Sequence, residues 1–147
     1  MSTSDEARST PTKPLHGVKV LDFTRVLAGP YCTALMADLG ADVIKVEAAH
    51  GDDYRHIGPL KQGESLLFQA INRGKRSITL NLKSDADIAT IKALLAETDV
   101  LVENFRPGVM DKLGLGVEAL REAFPKLVYV SVSGFGQTGS NASKPAY

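Results

Sequence analysis

The side chains and backbone groups with chemistry to offer gather in four short segments. Arg25-Val26-Leu27-Ala28-Gly29-Pro30-Tyr31-Cys32-Thr33 joins a strand-like run to a helix-like one. A loop that ends in a helix start presents backbone N–H groups suited to anions. Asn72-Arg73-Gly74-Lys75-Arg76-Ser77 is a basic turn, read either as a solvated turn or as an edge facing phosphate or a second subunit. Val102-Glu103-Asn104-Phe105-Arg106-Pro107-Gly108 sets an amide, an aromatic ring and a guanidinium in succession after a strand. Ser133-Gly134-Phe135-Gly136-Gln137-Thr138-Gly139 contains G-x-G-x-x-G. A dinucleotide fingerprint needs such a loop to open a helix directly, whereas Ser140-Asn141-Ala142-Ser143-Lys144-Pro145 reads as loop. Glycine here suits close approach of backbone to a ligand instead. His16, His50 and His56 lack metal-ligand spacing, so no metal is expected. No Ser-His-Asp arrangement suggests itself. Cys32 falls in the predicted first helix, where a buried small hydrophobe is the expectation.

These segments need a frame. The β-branched run over 18–23 predicts a strand, and 30–39 a helix with Pro30 in its first turn and Gly40 as its stop. A second strand follows over 42–47, giving a β-α-β unit with parallel strands and a right-handed crossover. Residues 50–62, holding Gly51, Asp52, Asp53, Gly58 and Pro59, read as loop. A short helix over 66–71 and an alternating strand over 77–82 come next. Ser84 then caps a helix reaching about residue 97. Beyond it lie a strand over 100–103, short helices over 108–113 and 116–124, and a last strand over 127–132. Strands alternating with helices predict an α/β fold with an open, mostly parallel, Rossmann-like sheet. With no repeat and no interior linker, residues 14–147 form one expected folding unit behind a disordered lead-in over 1–13. Open α/β sheets take ligands at the carboxyl ends of their strands. Residues 24–29, Lys83, 104–108 and 134–139 all fall there.

Bulk properties bound the function. The chain of 147 residues is 44% hydrophobic and 23% charged, an ordinary globular balance. Seventeen basic residues offset seventeen acidic ones, so no global field draws nucleic acid or an anionic membrane. The single Cys32 excludes an internal disulfide framework and fits a reducing, cytoplasmic setting. No apolar run approaches the ~20 residues of a membrane span.

In order and spacing, the four segments resemble the amino-terminal part of the class III CoA-transferase family (CaiB/BaiF type), over about residues 14–147. The resemblance implies part of the large domain of an interlocked homodimer. It also implies two ligands, coenzyme A (as acyl-CoA) and a small carboxylic acid. Positions matching the family's CoA contacts are Leu27 and Ala28 on the first loop, and Leu80 and Lys83 at the end of the third predicted strand. Asn104, Phe105 and Arg106 follow the fourth, with Lys112 on the short helix beyond and Lys144 near the terminus. The residue types suit the ligand, because phosphates take Lys, Arg and backbone N–H groups. Read alone, each lysine is also a solvated surface residue, and Phe105 a core one. Many members carry an arginine where this chain has Ala48. That phosphate contact is then either absent or supplied by Arg55 or His56.

The implied reaction runs through an aspartate carboxylate that attacks the donor thioester. A mixed anhydride and CoA thiolate form first, then an aspartyl-CoA thioester from which the acceptor acid takes CoA. In the family that aspartate lies a few dozen residues beyond the Gly-rich segment. Asp22, Asp38, Asp42 and Asp111 do not match it. A polypeptide of this length is therefore expected to show no turnover, and to be at most a CoA-binding fragment of poor solubility. An alternative is an α-methylacyl-CoA racemase-like enzyme, but racemases carry a histidine at the position of Tyr147. The wording over 25–30 and 80–83 is similar to members acting on dicarboxylates such as succinate and glutarate. In oxalate/formate members a glutamine replaces Leu27.

Overall fold

The computed structural model describes residues 12–146, so most of the expected lead-in, and Tyr147 with its bearing on a racemase, lie outside the described residues. Five strands form one sheet: β1 (Lys19–Asp22), β2 (Asp42–Glu47), β5 (Arg76–Thr79), β6 (Val100–Glu103) and β7 (Val128–Ser131). Their order is β5-β2-β1-β6-β7 and every pairing is parallel. Register brings Leu21 opposite Ile44 on one side and Leu101 on the other. The sheet confirms the α/β, mostly parallel reading.

Alternation along the strands divides the core between two faces. Leu21, Phe23, Val46 and Leu101 pack with Ile91 and Leu95 of α3 (Asp85–Leu95). Met110 of α4 (Val109–Lys112) and Leu120 of α5 (Val117–Ala123) join that face. Val20, Val43 and Val102 point the other way, against Met36 and Ala37 of α1 (Ala28–Asp38). Helix α2 (Leu66–Ile71) lies beside α1.

Several boundaries differ from the sequence reading for local reasons. Strand β5 ends at Thr79, short of the expected 82. Leu80 N still donates to Glu47 O at 2.9 Å, but Asn81 N turns to the Asp87 carboxylate at 2.7 Å, which bends the chain into the Ser84-capped α3. Helix α1 begins at Ala28, ahead of Pro30. The expected loop over 50–62 holds a 3-10 turn, Asp53–His56, and the first strand of a short hairpin, β3 (Leu60–Lys61) with β4 (Glu64–Ser65).

This strand order matters for function. From β1 the chain runs outward through β2 to β5, then returns to β6 on the opposite side of β1. The order therefore reverses between β1 and β6, and the crevice outside the carboxyl ends of those strands is where such sheets hold ligands.

Candidate functional site

Two loops flank that crevice, residues 24–27 after β1 and 104–108 after β6. Asn104 ties them together. Its Oδ1 accepts from Arg25 N at 2.9 Å and its Nδ2 donates to Arg25 O at 2.8 Å. The Arg25 guanidinium carbon sits 5.3 Å from the centroid of the Phe105 ring, within reach of a cation–π contact. The start of α1 has no side-chain cap at Leu27. Its leading N–H groups are free of any capping side chain, the arrangement that favours anions.

Below the first loop lies a buried polar network. Asp22, at the end of β1, is fully buried and saturated. Its Oδ1 accepts from Thr24 N at 2.8 Å and from the Thr24 hydroxyl, and its Oδ2 from the Thr33 hydroxyl at 2.7 Å and Lys75 Nζ at 2.9 Å. Lys75 also donates to Pro30 O and Asn72 Oδ1, each at 2.8 Å. Burial pushes the Lys75 amine below the usual lysine range, although Asp22 opposes the shift. Lys45, 1% exposed, donates to Thr24 O at 2.6 Å and pairs with Asp52 Oδ2 at 2.9 Å. That oxygen takes no well-directed hydrogen bond, so the contact is chiefly electrostatic.

Glu47, at the end of β2, holds the neighbouring loop. It receives Arg55 Nε and Nη2, each at 2.7 Å, the Ser77 hydroxyl at 2.7 Å and Asp52 N at 3.1 Å. Burial alone would raise its pKa. The hydrogen bonds from Arg55 and Ser77 and the charge of Arg55 outweigh it, bringing the carboxyl down to about 2. Arg55 also lies 3.9 Å over the Phe68 ring. Arg55, one of the two residues expected to stand in for an arginine at position 48, is thus committed within the fold. The other, His56, has its Nε2 3.3 Å from His50 O.

The basic turn fits neither of its two readings as a whole. Lys75 is buried in the network, whereas Arg73 and Arg76 pair with Asp38 and Asp42 on the surface. Cys32 is exposed, contrary to expectation, because α1 buries Gly29, Pro30, Thr33 and Ala34 and Cys32 projects from the other side.

The candidate residues divide into two groups. Leu27 and Ala28 lie where the loop after β1 enters α1, and Asn104 and Phe105 belong to the loop after β6 that Asn104 joins to it at Arg25. Leu80 is buried in the cluster against which Phe105 packs, so the ring touches core on one side and Arg25 on another. Lys83, Arg106, Lys112 and Lys144 are exposed, and among the described residues none of their side chains enters an ion pair. Arg106 borders a cavity of about 300 Å³ with Glu103, Asp111, Tyr129 and Gln137, at the carboxyl ends of β6 and β7. Burial, with Glu103 and Asp111 nearby, drives the Tyr129 hydroxyl far above its ordinary pKa. A second cavity, of about 330 Å³, lies at the amino ends of β1 and β2 between Lys19, Asp42 and Leu94. That is the wrong edge for an α/β ligand site. Residues 134–139 open no helix among the described residues, so the dinucleotide fingerprint lacks its context. No group of three or more His, Cys, Asp or Glu among the described residues is placed to hold a metal ion, and no helix there is long and apolar enough to cross a membrane.

Sequence reasoning missed Lys45, Asp52 and Lys75 as buried residues. A lysine in the middle of an apolar strand between two other strands was the available signal for Lys45.

The model of CoA-transferase family III matches residues 15–147. An acetyl-CoA:oxalate CoA-transferase of Acetobacter aceti is 51% identical over 143 residues, covering 95% of this chain and 37% of that protein. The succinyl-CoA:glutarate CoA-transferase of Homo sapiens is 48% identical over 137 residues, covering 92% of this chain and 31% of that protein. Among solved structures, a CAIB/BAIF family protein from Brucella suis aligns with a TM-score of 0.88 at 44% identity, over 93% of this chain and 38% of its own. A hypothetical protein (Rv3272) from Mycobacterium tuberculosis aligns with a TM-score of 0.87 at 42% identity, over 94% of this chain and 38% of its own. The chain spans less than two fifths of the length of each.

Proposed function

The chain belongs to CoA-transferase family III, and on that footing we propose that the whole protein moves coenzyme A from an acyl-CoA to a carboxylic acid. The observation that carries this reading is the joining of 24–28 to 104–106 by Asn104 at the point where strand order reverses. In this reading Leu27 and Ala28 line the thiol end, Phe105 lines the adenine slot with Leu80 in the core cluster behind it, and Lys83, Arg106, Lys112 and Lys144 meet the phosphates. A polyanion gains from cations that are not already paired within the fold.

The covalent step proposed is attack by an aspartate carboxylate on the thioester, which breaks the C–S bond, expels the CoA thiolate and leaves a mixed anhydride. The thiolate then attacks the aspartyl carbonyl, giving an aspartyl-CoA thioester and releasing the donor carboxylate. Asp22 is excluded from that role by its saturation and full burial. The nucleophile is assigned to the remainder of the whole protein, which is proposed to work as a homodimer. Oxalate and glutarate, named for two relatives, are both dicarboxylates. A dicarboxylic acid is accordingly the proposed acceptor class.

The test uses the intact protein. Lys83→Ala and Lys112→Ala should each weaken CoA binding by about tenfold, as loss of a charge-assisted hydrogen bond would, and weaken dephospho-CoA or pantetheine less. Equal weakening of all three ligands would show that these lysines do not read phosphates. Absence of CoA exchange between succinyl-CoA and any dicarboxylic acid would remove the acceptor assignment.

A further inference from the structure

Val26 has φ 72°, in the left-handed region that a β-branched residue avoids. Its side chain is 41% exposed, so packing does not force that conformation. Polar groups hold it instead. Asp52 Oδ1 accepts from Val26 N at 3.4 Å and from Tyr54 N at 3.0 Å. Lys45 Nζ reaches Thr24 O on one side and Asp52 Oδ2 on the other. Asn104 takes both backbone groups of Arg25. The strained residue thus sits between two fixed points, directly before Leu27 and Ala28.

Stability alone gives little reason for this arrangement. Lys45 and Asp52 are each 1% exposed, and buried ion pairs are commonly matched or bettered by apolar residues of similar volume. We infer that Lys45 and Asp52 are positioning residues, whose buried pair holds Val26 left-handed and so fixes where Leu27 and Ala28 meet the thiol end of CoA. The inference rests on the proposed CoA site. It adds that the loop is set from beneath, by a pair that touches no ligand. Without the pair, Val26 relaxes to an ordinary conformation, and only the fraction of molecules with the loop correctly set binds CoA.

The decisive variant is Lys45→Met with Asp52→Leu, made together in the intact protein so that no buried charge is left alone. CoA affinity should fall about tenfold, as a conformational tax of this kind predicts. Adding Val26→Gly to that pair should restore most of the affinity, because glycine adopts the left-handed conformation without strain. A merely structural role would give no such rescue. Undiminished affinity in the double variant, or a folded triple variant no better than the double, would overturn the inference. Should the double variant fail to fold, amide exchange on the unaltered protein decides. Slow exchange at Val26 N supports the clamp, and exchange as fast as in an open loop refutes it. If the unaltered protein binds no CoA, the transferase reading falls, and the exchange measurement still reports on the clamp.

Discussion

Asp22 and Lys75 show how much of this site is held by single atoms. Each carries a charge with almost no solvent access, and each is the other's only counter-charge within salt-bridge distance among the described residues. Removing one partner leaves the other buried and uncompensated, at a cost of about 3–5 kcal/mol. Lys75→Met and Asp22→Asn should each lower the denaturant midpoint accordingly, and the combination should recover most of the loss. A loss in the double variant equal to the sum of the two single losses would mean that the pair itself is unimportant. Glu47 gives a pH signature. Its carboxyl lies at about 2 in the folded chain against an ordinary 4.5, so its contribution is fully present above about pH 4.5 and is lost as pH falls toward 2. With Arg55 partly open to solvent, that contribution is about 2 kcal/mol. Glu47→Gln should flatten the stability curve in that window and lower it at neutral pH. A curve of unchanged shape would contradict the assignment.

At the scale of elements, α1 approaches the end of β1 through a glycine. A Cβ on Gly29 would stand 2.5 Å from both Cβ and Cγ2 of Thr24. Gly29→Ala should therefore displace the helix start or the loop, lowering stability by about 1–3 kcal/mol, as read by a thermal melt. An unchanged melting temperature would show that the helix shifts freely. The long elements were legible because their patterns repeat. Val18, Val20 and Leu21 mark β1, and Ser84 with Ile88, Ile91 and Leu95 marks α3. The hairpin of Leu60–Lys61 with Glu64–Ser65 was not, since two-residue strands carry no period. The loops around the crevice were visible from their glycine, proline and asparagine. Their anchoring was hidden, because Lys45 joins Thr24 and Asp52 only through tertiary folding, and lysine is ordinarily a surface residue.

For the whole molecule, apolar surface remains uncovered. Leu27, Tyr31, Leu35 and Leu39 follow one another at helical spacing, and all are 42–49% exposed. Strand β7 pairs only with β6 among the described residues, and its Val128 is 55% exposed. An apolar stripe and a free strand edge both favour association. The 147-residue polypeptide should sediment as concentration-dependent oligomers. Leu35→Glu with Val128→Lys should shift it toward monomer without lowering its melting temperature. A monomer at every concentration before substitution would count against this. The bond between Arg25 and Asn104 has a further consequence, in time. The two residues lie 79 apart in sequence, and synthesis adds roughly 5–20 residues per second, so about 4–16 s separate their emergence from the ribosome. For that interval the nascent loop after β1 has no amide to close on. It is then open to a protease or a chaperone, so how fast the message is read between these two codons bears on how much protein reaches its working form.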